Sequence, residues 1–174
     1  MTLYGLWNDL VMKTIDIFGD NRYEKQTKTR VACRGIMLSD EKILLTYETN
    51  TDQWFIPGGG LENDETFEKC CIREMAEETG CLVKPRECFL TINEYYEEWI
   101  FTSHYFWCDY VAKTERKLTE RELEVGLEPR WISVREAVDI FSKHQNYAEI
   151  DEMKRGAYLR EYTALKWFIE NKVL

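Results

Sequence analysis

Two histidines, three prolines and no Cys-x-x-Cys pair are what this chain of 174 residues offers to the commonest metal and redox frameworks. With only His104 and His144, a zinc site built on several histidines has too few ligands. The six cysteines (Cys33, Cys70, Cys71, Cys81, Cys88 and Cys108) are even in number. The chain is long, however, and shows no export signal, so they are expected as free, mostly buried thiols. No apolar run approaches the ~20 residues of a membrane span. The N-terminus lacks the basic start and apolar core of a secretory signal, and the expectation is a cytoplasmic protein. Positive charge is also short. Against 32 Asp and Glu stand 23 Lys and Arg, a net charge of −9 that repels long nucleic acid and anionic membranes. A small phosphorylated substrate remains compatible if a cation mediates.

What is present is an ordinary globular composition, 44% hydrophobic, in a chain able to bury roughly 70% of its unfolded surface as one domain. The first segment places Leu3, Leu6, Trp7, Leu10 and Val11 at helical spacing. It reads as an amphipathic helix that docks on the body or a partner, or as an extension of no consequence. Two stretches, "TRVACRGIML" and "KILLTYE", flank a turn at Asp40 and predict a hairpin, with "QWFIP" as a third strand. A helix is predicted from about Glu65 to Thr79, with Asn63, Asp64 or Thr66 as cap and Gly80 at its C-terminal end. Two aromatic, β-branched stretches follow, then a charged connector, the strand "RWIS" and a helix capped by Ser133. The stretch from Met153 to Ile169 predicts a long amphipathic helix. Strands precede, follow and alternate with helices without a regular βαβ rhythm, which predicts a mixed sheet with helices on its faces.

The segment "PGGGLENDETFEKCCIREMAEETGC", Pro57 to Cys81, is the unusual one. At ~100° per residue, Phe67, Cys71 and Met75 mark an apolar edge that Ile72, Ala76 and Thr79 extend. Glu74, Glu77 and Glu78 fall at i, i+3 and i+4 on the adjoining face, with Arg73 on its flank. Like charges at this spacing are destabilising, and Glu77 and Glu78 stand where the helix dipole prefers cations. A solvated acidic face is the bland reading. Clustered carboxylates beside a Gly-rich loop also suit a hard divalent cation, which takes oxygen ligands and substrate phosphate together. The competing phosphate and calcium motifs fail on spacing: there is no GxxxxGK[ST], and no alternating EF-hand loop.

From Gly59 to Cys81 the chain resembles the Nudix box, G-x5-E-x7-R-E-U-x-E-E-x-G-U, where U is a bulky aliphatic. Gly59, Glu65, Arg73, Glu74, Met75, Glu77, Glu78 and Gly80 stand at the required positions. Cys81 replaces the final aliphatic, and Asp64 stands where many members carry glycine. The resemblance implies an α/β fold, the Nudix-type α/β/α sandwich with a mixed β-sheet and flanking helices. On this reading residues 1–27 form an N-terminal extension, and residues 28–174 form the domain with its C-terminal helix. It implies hydrolysis of a pyrophosphate bond in a nucleoside diphosphate linked to another moiety, with Mg²⁺ or Mn²⁺. Such substrates include nucleoside triphosphates and dinucleotide polyphosphates.

Carried over by position, Glu77 and Glu78 resemble the principal metal ligands, and Glu74 a further ligand or the group that activates water. The Gly58 carbonyl is similar to a main-chain ligand, Arg73 to the arginine that orients the glutamates, and Glu65 to its structural partner. One more acidic residue is expected from the connector. Glu124 and Glu122 are the candidates, with Glu128 behind them, and each also reads as a solvated connector charge. Trp54, Phe55 and Tyr96 are candidates to stack on a base, against the alternative that strand aromatics are core. Tyr96 falls near the position of a tyrosine in some diadenosine polyphosphate hydrolases. Pro85 is too close to the box to be the proline of many ADP-ribose hydrolases. The alternative function is a non-catalytic Nudix-fold module that senses a nucleotide; such modules usually lose box glutamates, and none is lost here. The expected partner is a small nucleotide, with no long nucleic acid and no membrane, and the amphipathic termini leave room for a homodimer.

Overall fold

Alternation with a period of two organises the centre of the molecule. In "TRVACRGI", Cys33 turns to one side and Arg34 and Ile36 to the other; in "SHYFWC", Phe106 and Cys108 oppose Tyr105. Strands patterned this way on two apolar faces must be covered on both. The computed structural model describes residues 12–173, so the helix expected from Leu3 to Val11 lies outside the described residues.

A five-stranded mixed sheet runs in the order β1-β7-β8-β2-β6. Its strands are β1 (Lys13–Phe18), β2 (Lys28–Ile36), β6 (Gly58–Gly60), β7 (Cys81–Tyr96) and β8 (Trp99–Lys113). β7 and β8 form a long antiparallel hairpin, while β1 lies parallel to β7 and β2 parallel to β8. Pro85, which has no N–H to give a ladder, sits at a register shift beyond the end of β1. A second sheet centres on β4 (Lys42–Glu48). Along one side of β4 pair β3 (Leu38–Ser39) and β5 (Gln53–Phe55), and β9 (Leu127–Ser133) also pairs along its length.

The hairpin expected about Asp40 forms only at its tip, where Leu38 and Ser39 pair antiparallel with Ile43 and Lys42. Leu38 and Ser39 make the short return onto β4, and β2 turns away to join β8 and β6. The pairing does not run on along β2 because both of its edges find partners, β8 and β6, in the larger sheet. β1, with Ile15 and Ile17 alternating inward, was not foreseen, and it places residues 13–18 of the expected extension inside that sheet.

One core lies between the sheet and α1 (Phe67–Thr79), built of Cys33, Met37, Leu44, Cys70, Cys71, Met75, Phe106 and Cys108. The six thiols are free, four of them buried, and Cys71 and Cys108 approach to 3.7 Å. The larger core faces α3 (Val134–Ser142) and α4 (Glu152–Phe168) and includes Ile36, Leu45, Phe89, Tyr105, Phe141, Tyr158 and Phe168. Ser133 caps α3, accepting from the Glu136 N–H at 3.1 Å, as its sequence predicts. α4 departs from simple amphipathicity: Met153 is 87% exposed, whereas Lys154, Arg155 and Glu161 are buried. The result is the α/β/α sandwich. Among the described residues no helix is long and apolar enough to cross a membrane.

Phe168 is fully buried against Phe89, with ring centroids 5.1 Å apart, and meets Trp107 edge-on at 5.5 Å. Phe168→Ala is expected to lower the unfolding free energy by about 3–5 kcal/mol, and Met153→Ala by less than about 0.5 kcal/mol. Urea unfolding curves of the two variants check the contrast.

Candidate active site

The site begins with backbone that only glycine permits. β6 lies antiparallel on β2, pairing Gly58 with Arg34, Gly59 with Cys33 and Gly60 with Ala32. Gly58 has φ +147°, and a Cβ there would fall 2.1 Å from the Cys33 carbonyl oxygen. A Cβ on Gly59 would fall 2.5 Å from Glu74 Oε2, so the missing side chain is the space in which that carboxylate rests. α1 then starts on Thr66, whose hydroxyl accepts from the Lys69 N–H at 3.3 Å. It ends on Gly80, left-handed at φ 72°, whose N–H reaches the Ala76 carbonyl at 3.0 Å.

On this helix Arg73 gathers the acids. Its Nε and Nη2 grip Glu65 in a fork at 2.8 and 3.0 Å. Nη1 donates to Glu74 at 2.7 Å and to Glu77 at 3.2 Å, and Nη2 also donates to the Gly60 carbonyl at 2.9 Å. The pairing with Arg73 holds the Glu65 carboxyl below its usual range and lifts the Arg73 guanidinium further above its own. Glu74 is buried, and desolvation raises its pKa in spite of Arg73. Glu78 lies one turn on, also buried, with its Oε2 accepting from the Gly58 N–H at 2.9 Å. Burial pushes its carboxyl up to about 8; the Gly58 bond and Arg34 oppose the rise, and Glu74 and Glu122 add to it.

The structure therefore brings Gly58, Glu65, Arg73, Glu74, Glu77 and Glu78 together around the Gly-rich strand. Of the three connector acids, Glu122 is the one whose charge acts on both Glu74 and Glu78. It lies in the short helix α2 (Glu120–Glu124), where its carboxylate accepts from the Thr119 N–H at 2.7 Å. Among the described residues the Glu124 side chain makes no hydrogen bond or ion pair; its backbone carbonyl accepts from Asn50 at 2.7 Å. Glu128 pairs with Arg130 on β9.

The stacking candidates have partners of their own. Trp54 packs on Tyr47 with centroids at 4.5 Å, and its N–H donates to the Tyr158 hydroxyl of α4 at 3.2 Å. Phe55 is half-buried on β5, its carbonyl accepting from Thr46 Oγ1 at 3.4 Å. The Tyr96 ring fills the space beside Gly19 and Gly156, and burial pushes its phenol up to about 12. Two residues absent from the sequence reading touch the site. Arg116 donates through Nε to the Glu78 carbonyl at 2.8 Å, satisfying a helix-end acceptor. Arg34 donates to the Ile56 carbonyl at 2.9 Å, just ahead of Gly58. A charged residue amid the apolar pattern of β2 is the one sequence signal that pointed to it.

Among the described residues, no three His, Cys, Asp or Glu side chains converge as a finished metal cage. The donor set nevertheless fits a hard cation. Mg²⁺ is typically held by one or two carboxylates with water and substrate phosphate completing its shell, and here three carboxylates share a single guanidinium.

Comparison with known proteins shows the family and the fold. The family model described as NUDIX domain matches residues 28–153. The yeast (Saccharomyces cerevisiae) m7GpppN-mRNA hydrolase is 41% identical over 56 residues, 30% of this chain; the match spans only 6% of that protein's length. The human diphosphoinositol polyphosphate phosphohydrolase 2 is 25% identical over 149 residues, covering 74% of this chain and 72% of that protein. Among solved structures, a NUDIX hydrolase from Nitrosomonas europaea shares the fold at a TM-score of 0.54 and 23% identity, covering 79% of this chain and 90% of its own.

The raised Glu78 carboxyl has a direction in pH. Folded at about 8 against an ordinary value near 4.5, the group holds its proton more tightly in the native state. Its contribution to stability is complete below about pH 4.5 and is lost as pH rises through about 8. Glu78→Gln is expected to match the wild type near pH 4.5 in metal-free buffer and to exceed it by about 2 kcal/mol at pH 8.5. Urea midpoints at the two pH values in EDTA test this, and a gap independent of pH would contradict it.

Proposed function

This chain belongs to the Nudix hydrolase family, and from that premise we propose that it hydrolyses a pyrophosphate bond in a nucleoside diphosphate carrying a further group. The observation that carries the reading is the Arg73 cluster. One guanidinium faces Glu65, Glu74 and Glu77 while Glu78, buried beside them, is held by a peptide N–H rather than a cation. Negative charge in such excess is stabilised by a bound cation, and all the box glutamates are retained, which favours catalysis over a sensing module.

Glu74, Glu77, Glu78 and the Gly58 carbonyl would hold Mg²⁺ or Mn²⁺, with Glu122 the best placed of the connector acids to assist. The bound ion supplies charge neutralisation at the phosphates and acidifies water. The chain's own contribution is position. Arg73 fixes the rotamers of Glu65, Glu74 and Glu77, and the Gly58 N–H fixes Glu78. Desolvation makes the Glu74 carboxylate a better proton acceptor than an exposed one, which suits it to take the proton of the attacking water. In-line displacement at phosphorus needs little else from a protein.

The two named relatives bracket the substrate question. One acts, by its name, on capped mRNA, and the other on a diphosphoinositol polyphosphate. A net charge of −9 disfavours a long RNA, which leaves small diphosphates as the class to test.

A panel of nucleoside triphosphates, dinucleotide polyphosphates, nucleotide sugars and a diphosphoinositol polyphosphate, each with Mg²⁺ or Mn²⁺, is expected to reveal at least one substrate. Glu77→Gln and Glu78→Gln should each lower kcat by a factor on the order of 100 or more, with the fold intact by circular dichroism. Unchanged turnover in both variants would sink the site assignment. Binding without turnover across the panel would favour the sensing module.

A further inference from the structure

On the α4 side of the sheet, opposite the glutamate helix, four charged side chains lie buried that the proposed chemistry does not use. Arg34, Arg160, Glu94 and Glu161 are 12, 11, 3 and 0% exposed. Glu161 accepts from the Tyr105 hydroxyl at 2.9 Å and from Arg160 Nη2 at 2.7 Å, and Arg160 Nη1 donates to Glu94 at 3.1 Å. Arg34 Nη1 stands 3.5 Å from Glu161. Burying such a set is expensive, and an apolar filling is often as stable, so its retention asks for a use beyond packing.

Arg34 is the member that leaves the cluster. The Nη1 that faces Glu161 also donates to the Ile56 carbonyl at 2.9 Å. Its Cγ lies 2.9 Å from where a Gly58 Cβ would stand, so the side chain packs directly beneath that glycine. Arg34 thus touches the chain on both sides of Pro57. Gly58 in turn donates its N–H to Glu78. The contacts form one line from α4 to the glutamates: Glu161, Arg34, the Ile56–Gly58 backbone, Glu78.

We infer that Arg34, anchored by Glu161, is a positioning residue that sets the Gly58 peptide and through it the Glu78 carboxylate. The inference rests on the hydrolase reading above and adds to it a structural tie between the C-terminal helix and the site. A planar guanidinium can face a carboxylate and a carbonyl together in a fixed plane; an ammonium on a shorter, flexible stem keeps the charge and loses that geometry. Arg34→Lys therefore separates charge from position. Glu161→Gln preserves shape and acceptor while removing the charge that orients Arg34. Glu94→Gln disturbs the same buried cluster through Arg160, whose partners among the described residues are Glu94 and Glu161 rather than the Gly58 strand.

The three variants and the wild type are compared as full chains for melting temperature, for kcat and KM on the substrate the panel identifies, and for Mn²⁺ affinity by electron paramagnetic resonance. Arg34→Lys is expected to lower kcat about tenfold or more with KM changed less than about threefold, and to weaken Mn²⁺ binding several-fold. Glu161→Gln should move both quantities the same way by less. Glu94→Gln should lower the melting temperature comparably and leave kcat and Mn²⁺ affinity within about twofold of wild type. Wild-type turnover and Mn²⁺ affinity in Arg34→Lys and Glu161→Gln would overturn the inference, as would losses that follow melting temperature across all three. If Arg34→Lys does not fold, Glu161→Gln against Glu94→Gln decides. A wild type without turnover would overturn the hydrolase reading instead, and the Mn²⁺ titrations would still report on the Arg34 tie.

Discussion

The fork of Arg73 is the contact on which the rest of the site depends. Six hydrogen bonds leave its guanidinium: two to Glu65, one each to Glu74 and Glu77, one to the Gly60 carbonyl and a longer one to the Cys70 sulfur. It thereby ties the loop before α1, two acids of the helix and the glycine strand into one body. A lysine, with a single compact ammonium, could not span these partners in a fixed plane, and the helix would carry more of its repulsion unrelieved. Because Arg73 is only partly buried, the cluster keeps contact with solvent.

Around that contact the molecule accepts local disadvantage. Glu74 and Glu78 are carboxylates in buried positions, and the helix carrying them has no basic residue in its last turn. The compensation is geometric. Gly59 gives up its side chain to admit the Glu74 carboxylate, the Gly58 N–H satisfies Glu78, and Arg116 reaches in from the connector to the carbonyl of Glu78. Rules of local stability are broken where function requires it and kept elsewhere, as in the caps on Thr66, Ser133 and Asp151.

How much of this could be read from the sequence follows from the range of the interactions involved. α1, its glycine terminus, the Ser133 cap and the Arg73–Glu65 pairing all depend on residues a few positions apart, and the sequence carried them plainly. The hairpin expected about Asp40 holds only next to its turn, because the rest of the first strand is settled by distant partners: β2 pairs with β8, to which no local signal points. Among Glu122, Glu124 and Glu128 the spacing could not choose. Where these acids lie depends on α2, held by its Thr119 capping box and by Asn50 in the turn after β4. Trp54 and Tyr96 illustrate the same limit, since whether a strand aromatic meets solvent or α4 is decided by a helix that begins much later in the chain. Arg34 was visible as an oddity in an apolar strand, but its partner Glu161 lies at the other end of the sequence.

The parallel lie of β2 against β8 also has a consequence in time. Lys28 pairs with Trp99 and Ile36 with Trp107, so β2 has no neighbour on that side until the chain has been made through Trp107. A growing chain contains the glycines of β6 and the glutamates of α1 before then, in a segment whose floor does not yet exist. Its acids are at that stage hydrated and independent. Closing so long a parallel connection is the slow kind of step in folding. The desolvation of Glu78 is therefore incurred only after the sheet has closed beneath α1, not when the glutamates are made.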